Sequence, residues 1–217
     1  MGKKEIEKVL QDIHYIKEII SKDSVALEKF LVSAGIRYLS LFFGMGVALV
    51  SLLAYFSLKM LAGNLLLLKW SIASGLIIFS IIGGFVKWMT WNKLFPDMPW
   101  SNMLFKVVGI PVLKIVFLLV SLILGFTIGL TIGGLYQYIL LVWAIGIGMA
   151  YCIYGSLFNI FVLEITGYFI LISGCASLLF IYDRPVEAWL WSAIVFGGGF
   201  IIYFVISTLS FLSGKGK

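Results

Sequence analysis

Six apolar runs, each close to the ~20 residues an α-helix needs to cross a ~30 Å hydrocarbon core, leave this chain few alternatives to a membrane. They cover about residues 38–58, 70–91, 107–132, 136–155, 160–182 and 186–212. Lipid offers backbone N–H and C=O groups no water, so runs of this length must pair them internally, as helices. The expected fold is all-α and polytopic: six transmembrane helices within residues 34–217, preceded by a cytoplasmic amphipathic helical segment over residues 1–33. At 62% hydrophobic and 12% charged residues, against roughly 45–50% and about 25% in soluble domains, the chain lacks the polar surface of a soluble fold. Collagen, disordered tail and disulfide scaffold are excluded on the same ground.

The net charge of +6 is uneven. Six lysines and six acids balance within the first 33 residues, so the whole excess lies in the membrane part, where ten cations face four acids. Those cations sit at the ends of apolar runs, where they set topology and do not grip phosphates, so nucleic acid is not an expected partner. An N-terminus in the cytoplasm puts thirteen of sixteen Lys and Arg residues inside and leaves Lys59, Lys69 and Arg184 outside. Six crossings also return the C-terminus to the cytoplasm, and the expected location is the cell (inner) membrane. The first 33 residues lack the apolar core of a cleavable signal, which leaves insertion to the first membrane helix. Cys152 and Cys175 lie on successive helices at depths about 15 Å apart at ~1.5 Å per residue, too far for a bridge that needs Cα atoms within ~7 Å.

Ile6, Val9, Ile13, Ile16 and Ile20 recur at helical spacing and define an apolar face. A helix made to lie on anionic lipid is normally Lys/Arg-rich on its polar face. This one is charge-balanced, which favours packing on a partner helix, a copy of itself or the bundle over passive anchoring. Further along, Asp97 before Pro99 reads as a helix start, and continuation past Pro111 to Ile132 would overfill a bilayer. A break or kink near Pro111 is expected.

Small residues at spacing four form two stripes: Ser121, Gly125, Gly129 and Gly133 on the third membrane helix, and Ala144, Gly148, Cys152 and Ser156 on the fourth. Helices in lipid associate by close backbone approach, which such faces permit. The short turn near Gly134 predicts that the third and fourth helices pack on each other, with a homodimer seam or a solute path as the functional alternatives. Gly197, Gly198 and Gly199 on the sixth helix read as packing residues, or else as a hinge.

Ionisable groups within membrane segments are functional hypotheses by default. Arg37, Lys87, Lys114 and Glu164 all fall within about two turns of cytoplasmic helix ends and form a candidate inner-leaflet charge cluster. Snorkelling to headgroups is the plain reading of the cations. Glu164 reads as a member of an ion pair with Lys114 or Arg37 near a helix N-terminus, or alternatively as a transport or proton-relay group.

Catalytic signals are missing. His14 is the one histidine, which excludes a bis-histidine haem and a histidine-rich metal site in the membrane. No Walker loop, HExxH or GxSxG pattern occurs. No metal, cofactor or enzymatic activity is expected.

The stretch IEKVLQDIHYIKEII, followed by six membrane helices with a polar break after the second, resembles a loose group of small bacterial and archaeal membrane proteins. The segment AIGIGMAYCIYGSLFNIFVLEITGYFILISG looks like their fourth and fifth helices. The resemblance implies a bundle architecture and carries no activity. The function expected is that of a membrane subunit or accessory protein, whose partners are the lipid bilayer and a second copy or another membrane protein. The competing expectation is a small transporter, since six helices behind an amphipathic one also look like a permease half of an ABC-type exporter.

Overall fold

The computed structural model describes residues 27–60, 81–97 and 110–214. Within them the chain is helical and has no strand. A short helix α1 spans residues 27–31, α2 spans Ala34–Met60, and α3 is described over residues 81–94. Then come α4 (Ile110–Ile132), α5 (Ile139–Phe158) and α6 (Phe161–Ile181). A last, composite helix joins α7 (Glu187–Ser192), a π-helical turn (Ala193–Gly197) and α8 (Gly198–Gly214).

Five of these helices are long and apolar enough to cross a membrane, with mean hydropathy between 1.8 and 2.7 over their most apolar windows. They correspond to the first and third to sixth expected runs. The second run falls partly on residues 61–80, outside the described residues, as does the apolar face from Ile6 to Ile20. Helix α4 is described from Ile110 onward, with Pro111 as the second of its described residues. The expected break near Pro111 falls at the edge of residues 98–109, which lie outside the described residues.

The helices are inside-out relative to a soluble bundle. Large apolar side chains point outward, Phe117 at 75%, Ile132 at 83% and Leu179 at 83% exposure. Contiguous apolar surface on this scale is not tolerated in water. The interior combines buried apolar side chains such as Trp91, Ile160, Ile170 and Val195 with glycine, alanine and hydroxyl residues. Buried Thr166, Ser177 and Ser207 each donate to a carbonyl of their own helix, Val162 O (2.8 Å), Gly174 O (2.6 Å) and Phe204 O (3.0 Å). Their polar atoms are thereby satisfied without water.

Helix α2 runs antiparallel to the composite helix. The contacts step from Tyr38 with Phe204, through Gly44 with Gly197 and Ser51 with Ser192, to Tyr55 with Glu187. At the crossing, a Cβ on Gly44 would lie 2.9 Å from the Gly197 carbonyl oxygen, and one on Gly197 would lie 2.8 Å from the Ala48 Cβ. The π turn allows this approach. It buries Ala193, Val195 and Gly197 together, an alternation that a regular α-helix cannot place on one face. Gly198 abuts Phe169 and Gly199 abuts Ile170, so the triple glycine packs against two neighbours at once.

Helices α5 and α6 form the most extensive pair. A two-residue link joins them, with Asn159 in the left-handed region (φ 54°) ending α5. A Cβ on Gly167 would meet the Cys152 backbone N at 2.7 Å and the Gly148 O at 2.8 Å, and one on Gly155 would meet the Glu164 backbone N at 2.6 Å. Ala144 lies against Gly174. The stripe on α5 therefore packs on α6, which corrects the expectation that it would pack on the helix before it. Helix α4 reaches α5 by other means, Ile123 filling the space above Gly146 and the Trp143 Nε1 donating to Thr127 Oγ1 at 3.0 Å.

All described helix ends rich in lysine or arginine lie at one end of the bundle, the basic end, with Lys29, Arg37, Lys87, Lys93 and Lys114. There Tyr203 donates from its hydroxyl to the Leu31 carbonyl (2.8 Å), which α1 leaves without a helical partner. Removing that hydroxyl by Tyr203→Phe is expected to cost about 1 kcal/mol. In a detergent melt this corresponds to a fall of roughly 2–4 °C, and an unchanged melt would show the bond to be dispensable.

Candidate functional site

A cavity of about 590 Å³ opens at the basic end between α2, α3, α5 and α8. Its walls follow from helix geometry. Ile36, Leu39, Ser40 and Phe43 recur at intervals of three, one and three, which places them on one face of α2. That face starts at a capped helix end, where the Ile36 N–H donates to the Ser33 hydroxyl at 3.5 Å. Across the cavity α5 contributes Tyr151 and Tyr154, and α8 contributes Phe200 and Tyr203. Phe200 meets Phe43 edge-on (centroids 4.8 Å apart) and Tyr151 at 6.5 Å, which closes the deep end with aromatic rings. Leu27, Leu31 and Leu163 line the shallow end.

The fourth wall, α3, is different. Its contribution is Gly83, Gly84 and Lys87. No described residue lies within 4 Å of a Cβ built at either glycine, so this wall adds no side-chain bulk of its own. The helix is held further along, where fully buried Trp91 meets Phe30 edge-on at 5.4 Å and Phe95 at 4.5 Å, and Thr90 lies against Gly35. Among the described lining residues Lys87 carries the one formal charge, and the remaining polar groups are the hydroxyls of Ser40 and the three tyrosines.

The four charged residues singled out from sequence share the basic end but not one cluster. Arg37 is buried but does not line the cavity, its guanidinium 4.3 Å from the centre of the Phe211 ring and its Nε without a hydrogen-bond partner among the described residues. Lys114 is exposed on α4. Glu164, half-buried in the first turn of α6, accepts a hydrogen bond from Ser156 at 2.5 Å. The expected pairing of Glu164 with Lys114 or Arg37 does not occur. A neighbouring hydroxyl and the amide-rich helix start meet its charge instead. The ion pair found among the described residues is at the opposite end, where Lys59 lies 4.0 Å from Glu187 and donates to Tyr55 at 2.6 Å.

Of the packing stripe, Ala144 and Gly148 are buried against α6, but Ser121, Gly125, Gly129 and Gly133 are all exposed. No described residue approaches within 4 Å of a Cβ built at Gly125 or Gly129, and these residues line a shallow groove of about 370 Å³ with Leu122, Phe126 and Leu130. No group of three or more His, Cys, Asp or Glu residues among the described ones is arranged to hold a metal. Neither the cavity nor Lys87's role in it was visible from spacing. The sequence signal was the Gly83–Gly84 pair one turn before a lysine, within an apolar run.

The chain matches no protein-family model, no curated protein and no solved structure.

Proposed function

We propose that this chain is a non-enzymatic, six-crossing inner-membrane protein with both termini in the cytoplasm, acting as a membrane subunit or accessory protein through lateral association. The carrying observation is the state of α4. It is the most apolar of the five long helices and only 6% buried, against 22% to 39% for the others. Its face is nevertheless built for close helix contact, with Ser121, Gly125 and Gly129 in register and no bulky residue among them. Two helices in the same chain thus carry the same stripe, and the one on α5 is filled by α6. The like chemistry of the α4 stripe suits a helix from another chain. Charge-balanced association through the face of Ile6, Val9, Ile13, Ile16 and Ile20 belongs to the same reading.

Cysteine cross-linking in native membranes tests it, in a background carrying Cys152→Ser and Cys175→Ser. Ser121→Cys and Gly125→Cys are expected to trap a covalent adduct, whereas Ile123→Cys, buried against Gly146 of α5, is not. An adduct of twice the chain mass identifies a second copy, and any other mass identifies a different partner. Gly125→Leu with Gly129→Leu is expected to reduce the detergent-solubilised particle to a smaller mass. Absence of any adduct, together with an unchanged particle mass in the double leucine variant, defeats the proposal.

A further inference from the structure

We propose that the cavity at the basic end binds one acyl chain of an anionic phospholipid, with the lipid phosphate on Lys87. Three observations converge on that occupant. First, the walls are apolar along their length. From Ile36 to Phe43 the α2 face descends about 10 Å at ~1.5 Å per residue, and aromatic rings of Phe43, Phe200 and Tyr151 close its deep end. Its volume of about 590 Å³ lies within the ~300–1,000 Å³ typical of small-molecule sites, which likewise combine apolar walls with a few orienting polar groups.

Second, the charge is one-sided. Lys87 lines the cavity without an acidic residue among the described lining, so an anion is the chemistry that completes it. Lys87 lies one helical turn deeper than Trp91, which docks at the level of α1, so its flexible stem reaches the headgroup layer from inside the cavity. Basic pockets between membrane helices near the cytoplasmic face are the known chemistry for anionic lipid headgroups.

Third, the entrance matches a chain that arrives sideways. Gly83 and Gly84 give α3 a bare strip over the cavity, and the residues flanking that strip, Ile81, Ile82 and Phe85, are exposed at 66%, 49% and 57%. A lipid tail can enter past the glycines without displacing a described side chain.

The site is separate from the α4 groove, so the two proposals fail independently. The test uses the full chain in mild detergent with phosphatidylglycerol or phosphatidylcholine of identical acyl chains, read by native mass spectrometry. The wild-type chain is expected to retain one phosphatidylglycerol in preference to phosphatidylcholine. Lys87→Gln is expected to lower phosphatidylglycerol retention about five-fold, the effect of one lysine near anionic lipid, and to leave phosphatidylcholine unchanged. Gly83→Leu and Gly84→Leu each put a side chain into empty space and are expected to abolish retention of both lipids with an unchanged detergent melt. Gly125→Leu is expected to retain lipid as the wild type does. Unchanged preference in Lys87→Gln, or unchanged retention in both folded leucine variants, overturns the proposal.

Discussion

Gly167→Ala is expected to destabilise the bundle and Gly167→Leu to prevent its accumulation, whereas Gly125→Ala leaves it as stable as before or slightly more so. Both positions are glycines in the interior of an apolar helix, and the intrinsic helix preference favours alanine over glycine by ~0.5–1 kcal/mol at each. Surroundings decide the sign. At Gly167 the new Cβ meets the backbone nitrogen of Cys152 and the carbonyl oxygen of Gly148, at 2.7 and 2.8 Å. Backbone atoms inside two packed helices cannot rotate away, so α5 and α6 must separate along their most extensive contact. Overpacking of a core costs ~1–3 kcal/mol and sometimes more, which exceeds the propensity gain. A leucine extends the separation along the seam and removes the Ala144–Gly174 and Gly155–Glu164 contacts with it. In detergent melts the order of midpoints should be Gly125→Ala at or above wild type, then Gly167→Ala, then Gly167→Leu. The gap between the two alanine variants should be roughly 4–8 °C for about 2 kcal/mol. Equal midpoints for Gly125→Ala and Gly167→Ala would mean that the α5–α6 seam is not a tight contact.

That contrast also marks what spacing in a sequence can and cannot specify. The stripe Ala144, Gly148, Cys152, Ser156 was legible because period four names a helix face, and the face is used. Its neighbour was not legible, because a face carries no address. The turn near Gly134 pointed to α4, yet the shorter link at Asn159–Ile160 and the matching glycines Gly167 and Gly174, seven residues apart, gave α6 the better surface. The charged residues show the same limit in another dimension. Arg37, Lys87, Lys114 and Glu164 could be assigned a common depth, which is a coordinate along the helix axes. Contact depends on azimuth as well, and Arg37 turns to Phe211, Lys87 to the cavity and Glu164 to Ser156. The π turn had no sequence signal at all. Its extra residue is accommodated because Gly44 and Ala48, 150 residues away in the chain, leave room for it.

Trp91→Ala is the second substitution expected to act strongly, and it acts on the cavity from a distance. Trp91 is fully buried at the end of α3, with Phe30 and Phe95 on its ring. Truncating a buried tryptophan to alanine costs ~3–5 kcal/mol through lost contacts and the space left behind. The loss falls on the ring contacts that anchor α3, whose preceding turns expose Ile81, Ile82 and Phe85 and bring no described residue within 4 Å of a Cβ at Gly83 or Gly84. Release of α3 should precede unfolding of the α5–α6 seam along Gly148, Gly167 and Gly174, which lies outside the cluster that Trp91 shares with Val162, Leu163 and Tyr203. Hydrogen exchange distinguishes this from uniform destabilisation: protection should fall over residues 81–94 and around Phe30, while α6 beyond Gly167 keeps its own. Trp91→Phe, which restores a ring against Phe30, should recover part of the protection. Lipid retention by the cavity should fall in Trp91→Ala even though Lys87 and both glycines are intact, since the wall that carries them is no longer held over Phe43 and Phe200. If exchange rises equally in α3 and α6, the tryptophan supports the whole bundle, and α3 is not the separately anchored wall that the geometry of Trp91 and Phe30 indicates.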